Sequence, residues 1–340
     1  MHKLVTIGIP VYKRLEYLPN ALRIVAAQDY PNIELLVSDN GQNGSAVPAI
    51  VEKHYSKAYR FRQNASTVNV GVHFNQLIQE ASGEYFVLLA DDDEITPNYV
   101  SELMQVLENH PEATVALAKE ETVDQSGNVI RSTKEVPAVL SGPDFIRATW
   151  GEHKYGYTSL FTFLARTRSL VECGCFPDIW AGASDEDVLV VKLCVDNYVA
   201  FSRRCSFRKR YYETSMGFAL DLKDLARGIK EYWACLESEP KLREYSASHP
   251  GEWRQLKRCL FDNAWKTYYF RWADLYRKRL PTMRWIAAAF HLPFIPDYYK
   301  RVASTLTAAG LSPFLSRVKA ICPNTYAACK AAKNRIFRTI

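Results

Sequence analysis

The sequence predicts an α/β domain with a mainly parallel sheet and helices on both of its faces, followed by a C-terminal helical extension. In the first half of the chain, short apolar runs alternate with amphipathic stretches, which is the order of strands and helices in α/β domains. The apolar runs are nearly continuous, as expected of strands that helices cover on both sides. After residue 220 the pattern is mostly helical and is interrupted by prolines. We therefore place a domain at residues 1–220 and the extension at residues 221–340.

The elements of the domain follow from hydrophobic periodicity. Strands are predicted, in chain order, at LVTIGIP, IELLVSD, YRFRQN, EYFVLLA and TVALAKE. Helices are predicted at YLPNALRIVAAQ, VHFNQLIQEAS and NYVSELMQVLENH. Farther along, SLFTFLARTRSLVECG predicts a strand that runs into a helix, DEDVLVVKLCVDN a helix with an acidic first turn, and YVAFSRRCSFRKRYYE a strand followed by a basic loop.

The composition of the chain argues against a nucleic-acid-binding protein and against a membrane-spanning one. The chain has 340 residues, with 43 Lys and Arg against 37 Asp and Glu, and this net charge of +6 is too mild to indicate a nucleic-acid-binding protein. The longest apolar stretch, WIAAAFHLPFIP, is about half of the ~20 residues that a membrane-spanning helix needs. Because the first strand begins at Leu4, we expect no signal peptide. Eight cysteines are scattered without a zinc-ligand spacing, which favours reduced thiols and a cytoplasmic location.

Polar residues follow three of the predicted strands. In parallel α/β sheets, ligands bind beyond the carboxyl ends of the strands. The residues at these ends are Pro10, Val11 and Tyr12 after the first strand, Asp39 and Asn40 after the second, and Asp91, Asp92 and Asp93 after EYFVLLA. We therefore expect the three groups to lie together and to form a site at one edge of the sheet.

The three consecutive aspartates have two interpretations. They are suited to hold a hard divalent cation such as Mg²⁺ or Mn²⁺, which takes oxygen ligands and commonly bridges to substrate phosphates. Alternatively, they form a solvated turn that caps the next helix, since DEITPNYV also resembles a helix start with Pro97 near its first turn. This stretch alone leaves both interpretations open.

The motifs of the N-terminal half resemble those of family 2 glycosyltransferases. VTIGIPVYKRLEYLPNALRIVAAQDYPNIELLVSDNGQNGS resembles the opening of that family, with its PVYN-type turn, AQxYPNxE segment and DDGS-type turn. NVGVHF resembles its NxGxxxARN segment, LLADDDEITPNYV its DxD segment, SLVECGCFPDIWAGASDEDVLVVKL the stretch that opens the acceptor side, and SFRKRYYETS the loop over the diphosphate. Several motifs occur in order over roughly residues 4–215, which makes the resemblance specific.

The resemblance implies a GT-A fold, a nucleotide-diphosphate sugar as donor, and Mn²⁺ or Mg²⁺ as cofactor. The residues that it implies by position are Pro10, Val11, Tyr12 and Asp39 at the nucleotide base, Asp91 at the ribose, Asp92 and Asp93 at the metal, Asn69 and Gly71 in the substrate site, and Arg208 and Arg210 at the diphosphate. Two departures bear on the donor. The second acid of the DDGS-type turn is Asn40, and NVGVHF lacks the arginine that commonly follows, so that UDP is an expectation about the nucleotide.

An acid is also needed to activate the acceptor. In an inverting transfer, a carboxylate takes the proton of the attacking hydroxyl. SDED, residues 184–187, begins a predicted helix, and helix capping by Ser184 with acids in the first turn explains the same residues without catalysis. Reading the family's ED motif literally selects Asp187 as the base. Counting back from Lys192 selects Glu186, and Asp185 is the remaining candidate.

We therefore predict an enzyme that adds a single sugar, with inversion and metal assistance, to a glycan or lipid-linked saccharide. The alternatives are a catalytically inactive nucleotide-sugar-binding module and a nucleotidyltransferase on a related fold. A Rossmann oxidoreductase is disfavoured because no GxGxxG follows the first strand. QLKRC lacks the tryptophan of the QxxRW motif, which disfavours processive polymer synthesis.

The C-terminal region from about Trp253 carries Lys and Arg beside aromatic residues, as in WKTYYFRWADLYRKR. Basic amphipathic helices of this kind lie on anionic membrane surfaces, which suits a lipid-linked acceptor and a peripheral position on the inner face of the cytoplasmic membrane. Ordinary solvated helix faces, or helices that bind a partner, explain the same composition. The sequence leaves these alternatives open.

Overall fold

The structure is a computed structural model that describes residues 2–124, 126–157, 160, 162–180, 185–210 and 222–264. In these ranges ten strands form one mixed sheet, in the order β3-β2-β1-β4-β9-β6-β10-β5, with β7 beside β6 and β8 beside β10. The strands are β1 Val5–Val11, β2 Ile33–Asp39, β3 Tyr59–Gln63, β4 Tyr85–Leu88, β5 Glu94–Ile95, β6 Ala113–Val123, β7 Val129–Ser132, β8 Val139–Ser141, β9 Leu164–Arg166 and β10 Tyr198–Arg210.

Ten α-helices accompany the sheet in the described ranges. They are α1 Leu18–Ala26, α2 Ala46–His54, α3 Val70–Glu80, α4 Tyr99–Asn109, α5 Gly142–Ile146, α6 Thr167–Glu172, α7 Asp185–Cys194, α8 Leu222–Ser238, α9 Pro240–Ser248 and α10 Pro250–Asp262. Helix α5 continues into a π-helical turn at Arg147–Gly151. The sequence did not predict α2, in which Pro48 interrupts the pattern and the buried side chains are Val47 and Val51. The strands β5, β7 and β8 were also not predicted, because segments of two to four residues carry little periodicity.

The direction of the strands confirms the mainly parallel sheet. Strands β3, β2, β1 and β4 pair in parallel, and β10 pairs in parallel with β6. Strand β9 is antiparallel to both β4 and β6, so these two neighbours of β9 run in the same direction. The carboxyl ends of β1, β2, β3, β4, β6 and β10 therefore share one edge of the sheet, which we call the carboxyl edge.

Helices cover both faces of the sheet, as predicted. On one face, Ile7 and Ile9 of β1 are fully buried in a core shared with α1, α2 and α4. On the other face, a Cβ on Gly8 would lie 2.9 Å from Cζ of Phe86 and 3.5 Å from Cβ of Leu77 in α3. Glycine at position 8 thus allows the Phe86 ring to pack flat on β1 beneath α3.

Prolines set the helix boundaries after residue 220. Helix α8 ends at Ser238, and α9 and α10 begin at Pro240 and Pro250, where the missing backbone N–H of proline costs no hydrogen bond. Residues Arg227–Asn263 belong to the same compact unit as Met1–Leu220, and Asp221–Ala226 with Ala264–Ile340 form a second unit. Most of the predicted basic C-terminal region lies outside the described residues.

Helix α10 packs on α5 and the π-helical turn of the first unit. Arg147 Nη1 lies 3.0 Å from Glu252 Oε1, and Trp253, Leu256 and Leu260 are buried. Across the ranges that the structure describes, no helix combines the length and the apolar character needed to span a bilayer.

Candidate active site

The carboxyl edge brings the three predicted strand ends together. Val11 in β1 is level with Asp39 in β2, and the N–H of Asn40 donates to the carbonyl of Val11 at 2.8 Å. On the other side of β1, the N–H of Leu89 donates to the carbonyl of Gly8 at 3.0 Å, and the chain then leads into Asp91. Convergence of these strand ends is thus confirmed, and it follows from parallel pairing of β1 with both neighbours.

Asp39 shapes a tight turn rather than offering a free carboxylate. Its side chain is fully buried and accepts hydrogen bonds from the N–H of Gly41 at 2.8 Å, the N–H of Asn43 at 2.7 Å and Asn43 Nδ2 at 2.8 Å. Asn43 Nδ2 also donates to the carbonyl of Tyr12, which ties the two strand ends together. The ring of Tyr12 remains 48% exposed beside this turn, so it offers an aromatic face at the edge.

Asn40 explains one departure from the family motif. Its Nδ2 donates to the carbonyl of Val68 at 2.9 Å, while its Oδ1 accepts from the N–H of Val68 and from Asn64 Nδ2, both at 2.9 Å. A carboxylate cannot donate to the Val68 carbonyl, and an amide can. The amide therefore fixes Val68, and with it the N-cap Asn69 of α3, at the carboxyl edge.

The three aspartates differ in their surroundings. Arg14 in the β1–α1 loop places Nη2 2.8 Å from Asp92 Oδ2 and 3.7 Å from Asp91 Oδ1. Asp93 is buried and, within the described residues, its carboxylate accepts one long hydrogen bond, from the N–H of Arg210 at 3.3 Å. The sequence did not single out Arg14, because its contact with the acids spans 78 positions of the chain.

Burial without full compensation raises the pKa of two of these acids. Burial is the main cause of a pKa of about 7 for Asp91, and the neighbouring charge of Asp92 raises it further. Burial, and then Asp92, also raise the pKa of Asp93 well above its ordinary value. The ionised forms of these aspartates are therefore unfavourable in the folded protein, and Arg14 offsets only part of that cost.

Asp91, Asp92 and Asp93, which we call the aspartate turn, offer the ligands of a magnesium- or manganese-type site. Carboxylate oxygens are the ligands that these ions prefer, and Mg²⁺ is commonly held by one or two carboxylates together with substrate phosphates. Among the described residues, no three His, Cys, Asp or Glu side chains are grouped to hold an ion without such a substrate. Asp92 and Asp93 therefore supply two carboxylates, as many as Mg²⁺ commonly takes from a protein when substrate phosphates supply further ligands.

Arg208 and Arg210 lie on a strand, whereas the sequence predicted a basic loop there. Strand β10 extends through Arg210 because its end pairs with both β6 and β5. Arg208 Nε lies 3.0 Å from Glu121 Oε2, and Arg210 Nη2 forms an ion pair with Glu94 Oε1. Both guanidinium groups thus have carboxylate partners, and the rest of the predicted loop, residues 211–215, lies outside the described residues.

Asp185, Glu186 and Asp187, which we call the acid turn, form the first turn of α7, as predicted. Asp185 is buried, and its Oδ1 accepts from the N–H of Glu186 at 2.8 Å, whereas Glu186 and Asp187 are half-buried. Burial and the neighbouring Glu186 raise the pKa of Asp185. Ser184, the predicted cap, lies outside the described residues.

Helix α3 links the acid turn to the carboxyl edge. A Cβ on Gly71 would lie 3.0 Å from the carbonyl oxygen of Pro177 and 3.6 Å from Asp185 Oδ2. Asn69 donates to Asp178, and Asn75 exchanges hydrogen bonds of 2.8 and 2.9 Å with the backbone of Phe176. The start of α3 therefore contacts both Val68 at the edge and the segment that precedes the acid turn.

Residues 6–174 match the model of glycosyl transferase family 2. An uncharacterized glycosyltransferase of Rickettsia conorii is 31% identical over 136 residues, which are 39% of this chain and 22% of that protein. An uncharacterized protein of Mycobacterium tuberculosis is 31% identical over 122 residues, which are 34% of this chain and 35% of that protein. The chain thus matches between about a fifth and a third of these relatives' lengths.

Two solved structures share the fold at low identity. TarS 1–349 of S. aureus, in complex with UDP-GlcNAc, superposes with a TM-score of 0.54 and 17% identity over 72% of either chain. A mannosyltransferase of Pyrobaculum calidifontis, in complex with GDP-Man and Mn²⁺, has a TM-score of 0.52 and 15% identity over 98% of this chain and 87% of that one. The match over residues 6–174, the architecture and these likenesses together show that the chain carries a domain of glycosyltransferase family 2 with a GT-A fold.

Proposed function

We propose that this protein transfers one sugar from a nucleotide-diphosphate sugar to a saccharide acceptor, with inversion and with the help of Mn²⁺ or Mg²⁺. The solved neighbours support the class of donor, since TarS was solved with UDP-GlcNAc and the mannosyltransferase with GDP-Man and Mn²⁺. We expect a uridine nucleotide. The acceptor is a glycan or a lipid-linked saccharide.

The aspartate turn carries the proposal. Asp91 and Asp93 are almost fully buried beside Asp92, and Arg14 is the cation that contacts this turn most closely. An enclosed group of like charges is unfavourable unless a cation compensates it. A donor diphosphate with a divalent cation supplies that compensation and at the same time occupies the carboxyl edge, where ligands of α/β sheets bind.

Different residues of the carboxyl edge would contact the base, the ribose and the sugar of the donor. Tyr12 would face the nucleotide base. Val11, whose side chain is fully buried in the core, and Pro10 would hold Tyr12 in place rather than contact the base, and the rigid turn around Asp39 would fix its position. Asp91 would accept from the ribose hydroxyls. Asn69 and Gly71, at the start of α3, would border the sugar.

Asp92 and Asp93 would hold the metal. When bound, the ion would stabilise the charge that develops on the departing diphosphate. Asp92 would have to exchange its contact with Arg14 for the ion, and Asp93 would bring a carboxylate that is already positioned but poorly compensated. Arg210 would contribute through its backbone N–H, which orients Asp93, while its guanidinium pairs with Glu94.

Asp187 or Glu186 would activate the acceptor hydroxyl. Both are half-buried on the first turn of α7, so they are accessible to a proton donor, whereas Asp185 is buried against Gly71. An ionised carboxylate that takes the proton during a single displacement would give inversion at the anomeric carbon. We favour Asp187, with Glu186 as the alternative.

The test is a panel of nucleotide sugars incubated with the protein and with a mixture of saccharide acceptors, in Mn²⁺, in Mg²⁺ and in EDTA. We expect release of nucleotide diphosphate from one donor, and its loss in EDTA. Release that continues unchanged in EDTA would contradict the role of the metal. If no donor releases nucleotide but one binds tightly, the inactive sugar-binding module becomes the better description.

The basic C-terminal region remains a candidate for a peripheral membrane contact at the inner face of the cytoplasmic membrane. Sedimentation with anionic vesicles tests this, by comparing the full chain with a chain that ends after Asn263. Truncation near residue 250 is unsuitable, because it removes α10, whose Trp253, Leu256 and Leu260 are buried. Equal sedimentation of the two chains would exclude the region as an anchor.

A further inference from the structure

A tryptophan with two charged partners lies just before the acid turn. The guanidinium carbon of Arg227 is 3.9 Å from the ring centroid of Trp180. Glu231, one turn farther along α8, accepts from Arg227 Nε at 2.9 Å and from the backbone N–H of Trp180 at 2.6 Å. We call Trp180, Arg227 and Glu231 the Trp180 platform.

The Trp180 platform combines exposure with order. Trp180 is 42% exposed, so a large part of its indole faces solvent. An exposed tryptophan normally retains side-chain freedom, but here a stacked guanidinium and a hydrogen-bonded backbone restrict the ring. A fixed, accessible aromatic surface is the arrangement that binds ligands with little loss of conformational entropy.

The platform is connected to the acid turn through α3 and through α8. The segment that ends at Trp180 is anchored on α3, where Pro177 and Asp185 both lie against Gly71. Tyr232 follows Glu231 on α8 and is fully buried, and its hydroxyl has no hydrogen-bond partner among the described residues. Lys192 Nζ of α7 lies 3.3 Å from Oε1 of Glu239, which follows α8, and the charge of Asp187 contributes, after burial, to a raised pKa of Tyr232.

The chemistry of the platform matches a sugar ring. The C–H faces of pyranose rings pack on indole, while planar polar groups such as guanidinium and carboxylate bind pairs of neighbouring hydroxyls. Arg227 and Glu231 largely neutralise each other, which favours an uncharged ligand over a phosphate. Arg227 and Glu231 also hold each other in place, as recognition of ring hydroxyls requires.

We propose that the Trp180 platform binds the ring of an uncharged acceptor sugar and presents its hydroxyl to the acid turn of α7. This inference rests on the proposed transferase function and names its acceptor class, a neutral saccharide ring rather than a lipid alcohol or a protein side chain. Helix α8, which follows the domain matched by the family, thereby becomes part of the acceptor site.

The first test measures binding without catalysis. Methyl glycosides of glucose, galactose, mannose and N-acetylglucosamine are mixed with the full-length protein, and saturation-transfer NMR records which sugar protons contact it. We expect signals from the ring protons of at least one glycoside, and their loss in Trp180→Ala and weakening in Arg227→Gln. No signal from any glycoside with the unaltered protein would overturn the proposal.

Helix α8 offers a matched control. Lys257 Nζ lies 5.1 Å from the ring centroid of Trp233, a second tryptophan–cation pair, and this ring packs on Phe261 rather than on Arg227. Trp233→Phe and Lys257→Gln should leave the glycoside signals unchanged. Equal loss in Trp233→Phe and Trp180→Ala would show a general structural effect and would overturn the assignment.

The second test separates acceptor binding from donor use. We expect Trp180→Ala to raise the KM for the saccharide acceptor about tenfold, while the KM for the donor and the slow hydrolysis of the donor by water stay unchanged. An unaltered protein without donor turnover would contradict the proposed function. Normal donor turnover with an unchanged acceptor KM in Trp180→Ala would contradict only the platform.

Discussion

Two groups of buried carboxylates at the carboxyl edge behave in opposite ways. Asp91, after β4, and Glu121, in β6, are each 7% exposed. Burial raises the pKa of Asp91 to about 7. Burial acts on Glu121 in the same sense, but hydrogen bonds from Lys119 at 2.6 Å and Arg208 at 3.0 Å outweigh it and lower the pKa of this carboxyl.

The fold itself compensates the charge of one group of acids, whereas the other group depends on a ligand for compensation of its charge. Glu121 has two cations of the same sheet as partners, Lys119 and Arg208, so its charge is compensated within the protein. Among the described residues, Asp91 and Asp93 have no pair of cations of this kind: Arg14 Nη2 lies 3.7 Å from Asp91, and the charge of Lys209 lowers the pKa of Asp93 less than burial raises it. Uncompensated charge of this kind concentrates at functional sites, where stability is given up for binding.

Replacement of Asp93 by asparagine should have the largest effect. Asp93→Asn removes a proposed metal ligand but keeps the size of the side chain, so we expect metal-dependent release of nucleotide to fall about 10³-fold. The same change removes a buried acid whose ionised form is unfavourable in the fold, and we expect the melting temperature in EDTA to rise. Normal turnover of Asp93→Asn in Mn²⁺ would contradict its place at the metal.

Amide variants of the acid turn extend the comparison to α7. We expect Asp187→Asn to lower kcat by about 10²- to 10⁴-fold while nucleotide binding, measured calorimetrically, stays unchanged. Glu186→Gln is the matched control, because both residues are half-buried on the same turn. If Glu186→Gln gives the larger loss, Glu186 is the base.

The pH dependence of stability tests the raised pKa of Asp91 directly. Because folding raises this pKa from 3.8 to about 7, the native state holds a proton that the unfolded chain releases between these values. The free energy of unfolding should therefore fall as pH rises from about 4 to about 7, by about 3 kcal/mol from this group. Urea unfolding of the metal-free protein, with Asp91→Asn as the comparison, measures it.

Asp91→Asn should flatten this dependence and should be the more stable protein at pH 7. Because Asp91 is a proposed ribose contact, the variant is compared by stability and not by turnover. An unaltered slope in Asp91→Asn would assign the pH dependence to other groups.

Removal of a compensated acid should have the smallest effect and the opposite sign. Glu121→Gln leaves Lys119 and Arg208 without their shared carboxylate, and we expect a loss of about 1 kcal/mol, since both cations are more than one-third exposed. Thermal unfolding measures the change, and Mn²⁺-dependent turnover should be retained. A stability gain in Glu121→Gln would break the distinction between the two groups of acids.

The local pattern of the sequence was sufficient to predict the parallel core and the site edge. Apolar runs predicted β1, β2 and β4. The rule that ligands bind at the carboxyl ends of parallel strands then predicted that Tyr12, Asp39 and Asp91 lie close together. Prolines at 240 and 250 predicted breaks between helices, and helices begin there. Each of these inferences uses neighbours in sequence.

Partners that are distant in sequence could not be predicted. Arg14 pairs with Asp92 across 78 positions, and Arg210 pairs with Glu94 across 116. The two-residue strand β5 has no periodicity of its own, and it exists because β10 supplies a ladder for it. Glu231 lies 51 positions after Trp180, and nothing in either segment indicates the other.

The position of strand β9 in the sheet has a consequence for folding of the protein during its synthesis. Residues Leu164–Arg166 lie between β4 and β6, both of which precede them in the chain. A nascent polypeptide therefore carries an open β4 edge on the ribosome until residue 166 has emerged, and only then can the two parts of the sheet be joined. We therefore expect the unfinished β4 edge to be the part of the sheet most open to wrong pairing during synthesis.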